Sequence, residues 1–420
     1  MTDSRKQYLV PMIIIGALFF IFGFVTWVNG TLIPYLKIAC QLETNFQSYL
    51  VATAFFIAYA VMAIPSSYVL NLTGYKRGMA IGLIVMAVGA ILFVPAAQSR
   101  NYNLFLVGLF IIGTGLALLQ TASNPYVTII GPIESAASRI SIMGICNKIA
   151  GILAGLIFGY IALKDADVLE QRLLTMDAST KEATLNELAS RVIVPYYIIT
   201  AVLVFLAIAI MLSSLPDIDD SGDDTKDGNK SPMGKSSVLQ FPHLILGVIA
   251  LFVYVGVEVM AGDTIISYGK SIGIELSTAR FFSQATLGCM LVGYVVGIIL
   301  IPKYMTQATA LKLCAISGAI FTVLAIVTSG GLSVAFIALL GLSNSLIWPA
   351  VWPLALDGLG KFTKIGSGLL VMAIAGGAIL PLLYGSLSDA WNAQQAYWIM
   401  VPCYLFIFYF ATKGYKAGKA

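Results

Sequence analysis

The stretch NGTLIPYLK (29–37) recurs in the second half of the chain as GDTIISYGK (262–270). At one constant offset four pairs of residues coincide: Thr31 with Thr264, Ile33 with Ile266, Tyr35 with Tyr268, and Lys37 with Lys270. A second pair of stretches, KIAGILAG (148–155) and AIAGGAIL (373–380), also aligns. Repeats of this kind predict a chain built from two related halves.

The composition indicates that these halves lie in a lipid bilayer. The 420 residues are 59% apolar and 10% charged, with a mean hydropathy of +0.91, whereas an ordinary globular domain carries about 25% charged residues. A helix of about 20 apolar residues crosses a bilayer, and we predict twelve such spans, at 9–36, 46–72, 78–97, 103–129, 139–162, 192–213, 242–269, 279–301, 308–328, 332–356, 364–388 and 394–412. Their continuous apolar character favours helices over the alternating strands of a membrane barrel.

Two polar segments interrupt the spans. The acidic, Gly- and Ser-rich segment at the midpoint predicts a flexible cytoplasmic linker, 214–241, between an N-terminal half, 1–213, and a C-terminal half, 242–420. The segment 163–191 has mixed charge and helical propensity and predicts an exterior surface helix. With both termini in the cytoplasm, 15 Lys and Arg lie on the cytoplasmic side and eight outside, as the positive-inside rule requires.

Three charged side chains lie well inside the predicted spans: Lys148, Glu258 and Asp263. A charge at the bilayer centre costs about 2.5–3.5 kcal/mol on insertion scales, so such residues usually face a cavity and have a partner. One cation and two anions in opposite halves therefore predict a pair. The alternative is that Lys148 extends to an interface and the two acids flank a kink.

Neutral polar and aromatic side chains inside the spans predict a sugar-binding shell. These are Trp27, Asn29, Gln120, Asn124, Asn344, Trp348 and Trp352, together with Thr26, Thr121 and Tyr126. Amides both donate to and accept from sugar hydroxyls, and aromatic faces stack on apolar sugar faces. In a transporter made of two six-helix halves, such a site lies near the midplane between them. The alternative is that the amides join helices and the tryptophans mark the membrane interface.

Five stretches resemble the fucose–galactose–glucose:cation symporters of the major facilitator superfamily. They are FFIFGFVTWVNGTLIPYL (19–36), LFLVGLFIIGTGLALLQTASNPYVTIIGP (104–132), YVGVEV (254–259), SGLLVMAIAGGAILP (367–381) and FATKGYK (410–416). The resemblance implies an all-α membrane protein with twelve transmembrane helices in two pseudo-symmetric halves, working by alternating access. It further implies an inner-membrane importer of a monosaccharide with a proton or sodium ion, in which Asn147 and Gln120 occupy central-cavity positions.

The chain departs from this family at its acidic residues. The fucose branch has an aspartate where this chain has Gly30 and a glutamate where it has Gln120, and these carboxylates are implicated in its proton coupling. At positions 120 and 258 this chain, with Gln120 and Glu258, resembles the glucose/galactose branch. That branch nevertheless has the aspartate in the first span that this chain lacks. We hypothesise that Lys148, with Glu258 or Asp263, replaces the lost carboxylates. Alternatively, Lys148 is a fixed cation and the protein is a uniporter.

The other expectations concern substrate, cofactors and partners. Glucose, galactose, mannose and N-acetylglucosamine are the candidate sugars, and a drug exporter is disfavoured by the polar shell. The sequence lacks metal-site, nucleotide-loop and nucleophile-triad patterns, so we predict no enzyme activity, no metal site and no cofactor; Na⁺ or H⁺ is the candidate co-transported ion. The expected partners are a monosaccharide and the lipid bilayer, without nucleic acid, and we expect a monomer.

Overall fold

The computed structural model of this chain describes residues 3–129, 136–213, 215, 237–301 and 303–418. Twelve of its helical segments are long and apolar enough to cross a membrane, which confirms the predicted number of spans. Because twelve is an even number, span 1 begins on the face of the helix bundle on which span 12 ends, and span 6 ends and span 7 begins on this face too. We call this the terminal face and the other the opposite face.

The spans consist of the following helices. In the first half, span 1 is Asp3–Trp27 and Asn29–Ala39, spans 2 and 3 are Asn45–Ile91 with Phe93–Ser99, span 4 is Tyr102–Ile129, span 5 is Ala136–Leu163 and span 6 is Ile193–Leu212. In the second half, span 7 is Pro242–Val259 and Ile265–Ser271, span 8 is Leu276–Ala279 and Phe282–Leu300, and span 9 is Gln307–Val327. Span 10 is Gly330–Asn344 and Ile347–Leu356, span 11 is Thr363–Met372 and Gly376–Ala390, and span 12 is Met400–Thr412. Short 3₁₀ turns lie at Val238–Gln240, Gly360–Phe362, Ala373–Ala375, Gln395–Ile399 and Gly414–Lys416.

The boundary between spans 2 and 3 is a backbone break and not a loop. The segment Asn45–Ile91 consists of two helices joined at Gly74, which has φ 75° and ψ 171°, far from helical values. Only glycine adopts this conformation readily, because it has no Cβ. The glycine of GYKRG therefore makes the turn that the sequence placed between residues 72 and 78.

The connection between spans 5 and 6 contains two helices, Ala166–Leu173 and Ala178–Ser190. The prediction of a single surface helix is wrong in this respect. The second helix begins anew because the Asp177 carboxylate accepts from the backbone N–H groups of Ser179 and Thr180, each at 3.1 Å, which is an N-cap. Most of the predicted linker, residues 214 and 216–236, lies outside the described residues.

Span 6 shows where the lipid lies. It is apolar on every side, yet large side chains remain exposed on it, including Phe205 (69%) and Leu212 (81%). An apolar helix without a protein partner on most of its surface is typical of a membrane-facing position. The outer surface of the bundle therefore presents apolar side chains to the lipid, as span 6 shows.

Spans 1 and 7 are interrupted at corresponding places. Span 1 is divided between Trp27 and Asn29, and span 7 contains a π-helical turn, Met260–Thr264, between its two α-helical parts. The offset that aligns Thr31 with Thr264 superimposes these two interruptions. Discontinuous helices in matching positions of the two halves are a feature of transporter folds, where they lie beside the substrate site.

Glycines bring the spans of each half into backbone contact. A Cβ at Gly23 in span 1 would lie 1.9 Å from the Asn147 carbonyl oxygen in span 5, and one at Gly376 in span 11 would lie 1.8 Å from the Phe252 carbonyl oxygen in span 7. Small residues at crossings are the usual solution in membranes, where packing and not water exclusion drives helix association. The two crossings hold span 5 directly against span 1, and span 7 directly against span 11.

Candidate central binding site

A cavity of about 160 Å³ lies between the two halves near the middle of the spans. Nine residues predicted from the sequence line it: Thr26, Trp27, Gln120, Asn124, Asn147, Lys148, Glu258, Trp348 and Trp352. The lining also includes Phe19, Val127 and Ile140. All three lie on the terminal-face side of the midplane. The cavity therefore extends towards the terminal face.

The intramembrane lysine is paired with an acid of the other half. Lys148 Nζ lies 2.8 Å from Glu258 Oε1, and the two side chains are only 7% and 11% exposed. The ammonium also lies 4.2 Å from the ring centroid of Trp27, a cation–π distance. Because burial removes water from both charges, each depends on the other for compensation.

Two amides of the cavity wall are oriented by aromatic neighbours. Trp27 Nε1 donates to Asn147 Oδ1 at 3.2 Å, and Gln120 Nε2 donates to Tyr59 Oη at 3.0 Å. These bonds direct the Asn147 amide nitrogen and the Gln120 amide oxygen to other partners. The wall thus presents a donor group in span 5 and an acceptor in span 4.

Two tryptophans of span 10 form the aromatic part of the wall. The rings of Trp348 and Trp352 are stacked, with centroids 5.3 Å apart and an interplanar angle of 28°. Tyr254 of span 7 lies beside Trp348 at a centroid distance of 6.5 Å. Stacked indoles give the cavity an extended flat face, a surface suited to the apolar face of a sugar ring.

Asn344 lies away from the cavity. It is fully buried, and its Oδ1 accepts a hydrogen bond from the Tyr404 hydroxyl at 2.8 Å. This bond joins spans 10 and 12 within one half. In this conformation Asn344 therefore has the helix-joining arrangement that the alternative interpretation of the intramembrane amides proposed.

Asn29 and Asp263 are also outside the cavity lining, where spans 1 and 7 cross. Asn29 is fully buried and Asp263 is 1% exposed. Within the described part of the chain, neither polar atom of the Asn29 amide has a hydrogen-bond partner, nor does Asp263 Oδ1. A Cβ at Gly30 would lie 3.1 Å from that carboxylate oxygen. Because Gly30 has no side chain, a space remains beside the Asp263 carboxylate.

The family model described as Major Facilitator Superfamily matches residues 15–380. The chain belongs to this superfamily. A glucose/galactose transporter of Brucella abortus is 35% identical over 419 residues, covering 99% of this chain and 97% of that protein. The L-fucose-proton symporter of Escherichia coli is 32% identical, covering 97% and 94%. This confirms membership of the fucose–galactose–glucose:cation symporter family.

Solved structures show the same fold. A crystal structure of the E. coli fucose:proton symporter has a TM-score of 0.74 at 30% identity, covering 96% of this chain and 98% of that one. The D-xylose-proton symporter shares the fold with a TM-score of 0.65 at 15% identity. The prediction of an all-α major facilitator fold with two six-helix halves is therefore confirmed.

The sequence did not identify Tyr59 and Tyr254 as members of this major facilitator cavity. Both belong to apolar runs, AFFIAYAV in span 2 and LFVYVGVEV in span 7, in which a tyrosine is ordinarily a packing residue. Tyr254 offered one signal, because it precedes the intramembrane Glu258 by one helical turn. Tyr59 offered none, because its partner Gln120 is 61 residues away in the chain.

Proposed function

We propose that this major facilitator protein imports a monosaccharide by cation-coupled symport and alternating access. The observation that carries the proposal is the central cavity, in which sugar-type recognition groups lie beside a buried ion pair that joins the two halves. The names of the relatives support the sugar class, because they include a glucose/galactose transporter and an L-fucose-proton symporter. The substrate class is therefore glucose, galactose, mannose or N-acetylglucosamine.

Recognition uses complementary groups on the two sides of the cavity. The Asn147 amide nitrogen and the Gln120 amide oxygen bind sugar hydroxyls, with Asn124 close to them in span 4. Trp348 and Trp352 stack on the less polar face of the ring. A ligand bound in this way touches both halves, so its binding energy differs between facing states, as alternating access requires.

Coupling depends on Lys148 and Glu258. Because they belong to different halves, a rocking motion of one half against the other changes the 2.8 Å contact between them. Breaking a buried ion pair is unfavourable unless an ion or proton compensates the charge left behind. A cation bound by Glu258, or a proton transferred to it, is compensation of this kind.

Asp263 is the second coupling residue in this proposal. It borders the space beside Gly30, and at position 30 the fucose branch carries a carboxylate. The carboxylate has thus been transferred from span 1 to the equivalent position of span 7. Its unpartnered, buried oxygen supports a role in binding a proton or small cation.

Uniport is the second candidate function, and the position of Lys148 favours it. The ammonium already lies between Glu258 and the Trp27 ring, where a transported cation would otherwise compensate the carboxylate. A permanently bound ammonium would remove the need for an ion. The protein would then equilibrate sugar across the membrane without accumulating it.

Labelled-glucose and labelled-galactose uptake into proteoliposomes distinguishes the two. Symport predicts accumulation that depends on an imposed proton or sodium gradient, whereas sugar-specific uptake with neither dependence would establish uniport. In Lys148→Ala we expect counterflow exchange to persist and gradient-driven accumulation to disappear. Unchanged accumulation in this variant would refute the coupling role of Lys148.

The orientation and assembly complete the proposal. With the terminal face in the cytoplasm, the side with 15 basic residues is inside and the side with eight is outside. The central cavity then extends towards the cytoplasm. We place the protein in the bacterial inner membrane as a monomer, with residues 1–213 and 242–420 as the two moving halves.

A further inference from the structure

An aspartate of span 11 reaches across the opposite face to the first half. Asp389 lies at the end of this span, and its Oδ1 accepts from the Asn45 backbone N–H at 3.0 Å while its Oδ2 accepts from Phe46 N–H at 2.9 Å. These are the first two N–H groups of the long helix Asn45–Ile91. The third is Gln47 N–H, which donates to Thr44 Oγ1 at 3.1 Å. The cap of span 2 is therefore completed by the other half of the protein.

A second aspartate makes the same kind of contact in the opposite direction. Asp167 follows span 5 in the first half. Its Oδ1 accepts from Leu276 N–H at 2.8 Å, and its Oδ2 accepts from Ser277 N–H at 2.9 Å, at the start of span 8 in the second half. Each carboxylate thus holds two consecutive backbone N–H groups of the other half.

The two contacts are related by the internal repeat. The offset that aligns Thr31 with Thr264 aligns Asn45 with Thr278, the residue after Ser277. The carboxylates also correspond, since one follows span 5 and the other ends span 11, the spans whose sequences align. The same inter-half contact is therefore built twice about the pseudo-symmetry axis.

Both contacts are made in this structure, in which span 2 meets span 11 and the connection after span 5 meets span 8 at the opposite face. A further pair crosses between the halves on this face, because Lys270 pairs with Glu170, and deeper in the bundle Thr53 Oγ1 donates to the Ala378 carbonyl oxygen at 2.8 Å. Opening this face separates span 2 from span 11 and span 5 from span 8. Each aspartate then exchanges two charge-assisted hydrogen bonds for water.

We propose that Asp167 and Asp389 are a pair of gate residues that hold the opposite face closed, and that both contacts break each time the cavity turns to that face. This proposal rests on the proposed function only through alternating access. It makes no use of the identity of the sugar or ion. It assigns to these aspartates a role in the transport cycle although neither lines the cavity.

The test measures the opening of the opposite face directly. Spin labels are placed at Leu174→Cys in the first half and Leu332→Cys in the second, in a background without the five native cysteines. Both positions are exposed and on the opposite face. The distance distribution between the labels, measured by pulsed electron spin resonance in nanodiscs, then reports the open and closed populations.

The gate variants are Asp389→Asn, Asp167→Asn and the double variant. An asparagine keeps one acceptor but directs its NH₂ group at the second backbone N–H, so each contact is weakened. We expect each single variant to raise the ratio of open to closed molecules by roughly three- to tenfold. The double variant is expected to show the product of the two factors, because the sites are separate.

The matched control is Asp177→Asn. Asp177 also caps backbone N–H groups on the opposite face, but they belong to its own half, so its loss should leave the distance distribution unchanged. A distribution in Asp167→Asn and Asp389→Asn identical to that of the parent overturns the proposal, as does an equal shift in Asp177→Asn. If one gate variant fails to elute as a monodisperse protein, the other single variant decides. Because no sugar is needed, loss of the transport proposal would not change this result.

Discussion

The Lys148 ammonium illustrates how a single residue is retained in a membrane. It is 7% exposed, and the structure compensates it with the Glu258 carboxylate and the Trp27 ring. Interactions with a charge are strong in such surroundings because little water competes, but for the same reason a missing partner is costly. The pair therefore couples the stability of the protein to the contact between its halves.

Neutralising one member of this pair should destabilise the protein more than neutralising both. We expect Lys148→Met or Glu258→Gln alone to lower the free energy of unfolding by about 3 kcal/mol, because an uncompensated charge remains buried. The double variant should recover most of the loss while gradient-driven uptake stays absent. Denaturation by SDS measures the first effect and proteoliposome uptake the second. Additive losses in the double variant would contradict this interpretation.

Tyr59 is expected to act through the amide that it orients. In Tyr59→Phe the ring is kept, but the bond from Gln120 Nε2 is lost, so the amide oxygen is no longer held towards the ligand. A hydrogen bond of about 1 kcal/mol corresponds to a roughly fivefold increase in KM for the sugar, with Vmax unchanged. Tyr196→Phe is the control, since Tyr196 is buried outside the cavity lining against Phe93. An unchanged KM in Tyr59→Phe would contradict the assignment.

At the scale of elements, spans 1 and 7 are in direct contact where they cross. A Cβ at Gly262 would lie 2.4 Å from the Trp27 ring, so only glycine permits the indole to pack directly on span 7. One residue further along, the Asp263 carboxylate lies beside Gly30. The two spans therefore border one shared space, and in this chain span 7 supplies its acidic side chain.

Moving the carboxylate between these spans tests whether its position or its parent helix matters. We expect Asp263→Gly to abolish gradient-driven accumulation. Gly30→Asp should also fail, because it forces two buried carboxylates into contact. The exchange Gly30→Asp with Asp263→Gly should restore part of the accumulation, since one carboxylate again occupies the shared space. Uptake in the exchange variant no greater than in Asp263→Gly would show that Asp263 acts in another way.

At the scale of the whole molecule, the two halves are joined by contacts between spans as well as by the chain. They meet at the central ion pair, at the level of the cavity, where Gly377 of span 11 packs on the Phe56 ring of span 2, and at the opposite face, where Asp389 caps span 2. These contacts are spread over several pairs of spans. The connecting segment 214–241 adds continuity to an interface that the membrane already confines to two dimensions.

Cutting the connection should therefore leave a working protein. We expect a chain with a protease site inserted within 222–230 to retain sugar uptake after cleavage, with the two fragments co-purifying through a tag on one of them. Uptake by the uncleaved insertion variant is the reference. Separation of the fragments under mild detergent, or loss of uptake on cleavage, would show that the covalent connection is needed to keep the two halves together.

Much of the fold could be predicted because the bilayer imposes a simple rule. Every backbone polar group in hydrocarbon must be bonded internally, so apolar runs of sufficient length become helices. The boundary at Gly74 was predictable from the chain itself, because it lies between two apolar runs that were predicted as spans 46–72 and 78–97. The second surface helix after span 5 was not, because its start depends on the Asp177 cap and not on a change in composition.

The candidate site was predicted in part. Lys148 and Glu258 were recognisable because a charge inside a span is rare and costly, and the tryptophans of span 10 because they interrupt an apolar run with polar handles. Asn344 and Asn29 have the same sequence signature but are packed between helices. An amide in a span satisfies its hydrogen bonds either with a neighbour or with a ligand, and the sequence does not distinguish these.

The sequence by itself therefore determined the solvent, the number of spans, the duplication of six helices and the presence of charges that require compensation. These follow from local composition and from periodicity, which act along the chain. Only the tertiary structure decided that Lys148 pairs with Glu258 and not with Asp263, that Tyr59 orients Gln120, and that Asp389 caps span 2. Each of these depends on the rotation and depth of one helix against another, and packing sets both across sequence separations of 61 to 344 residues.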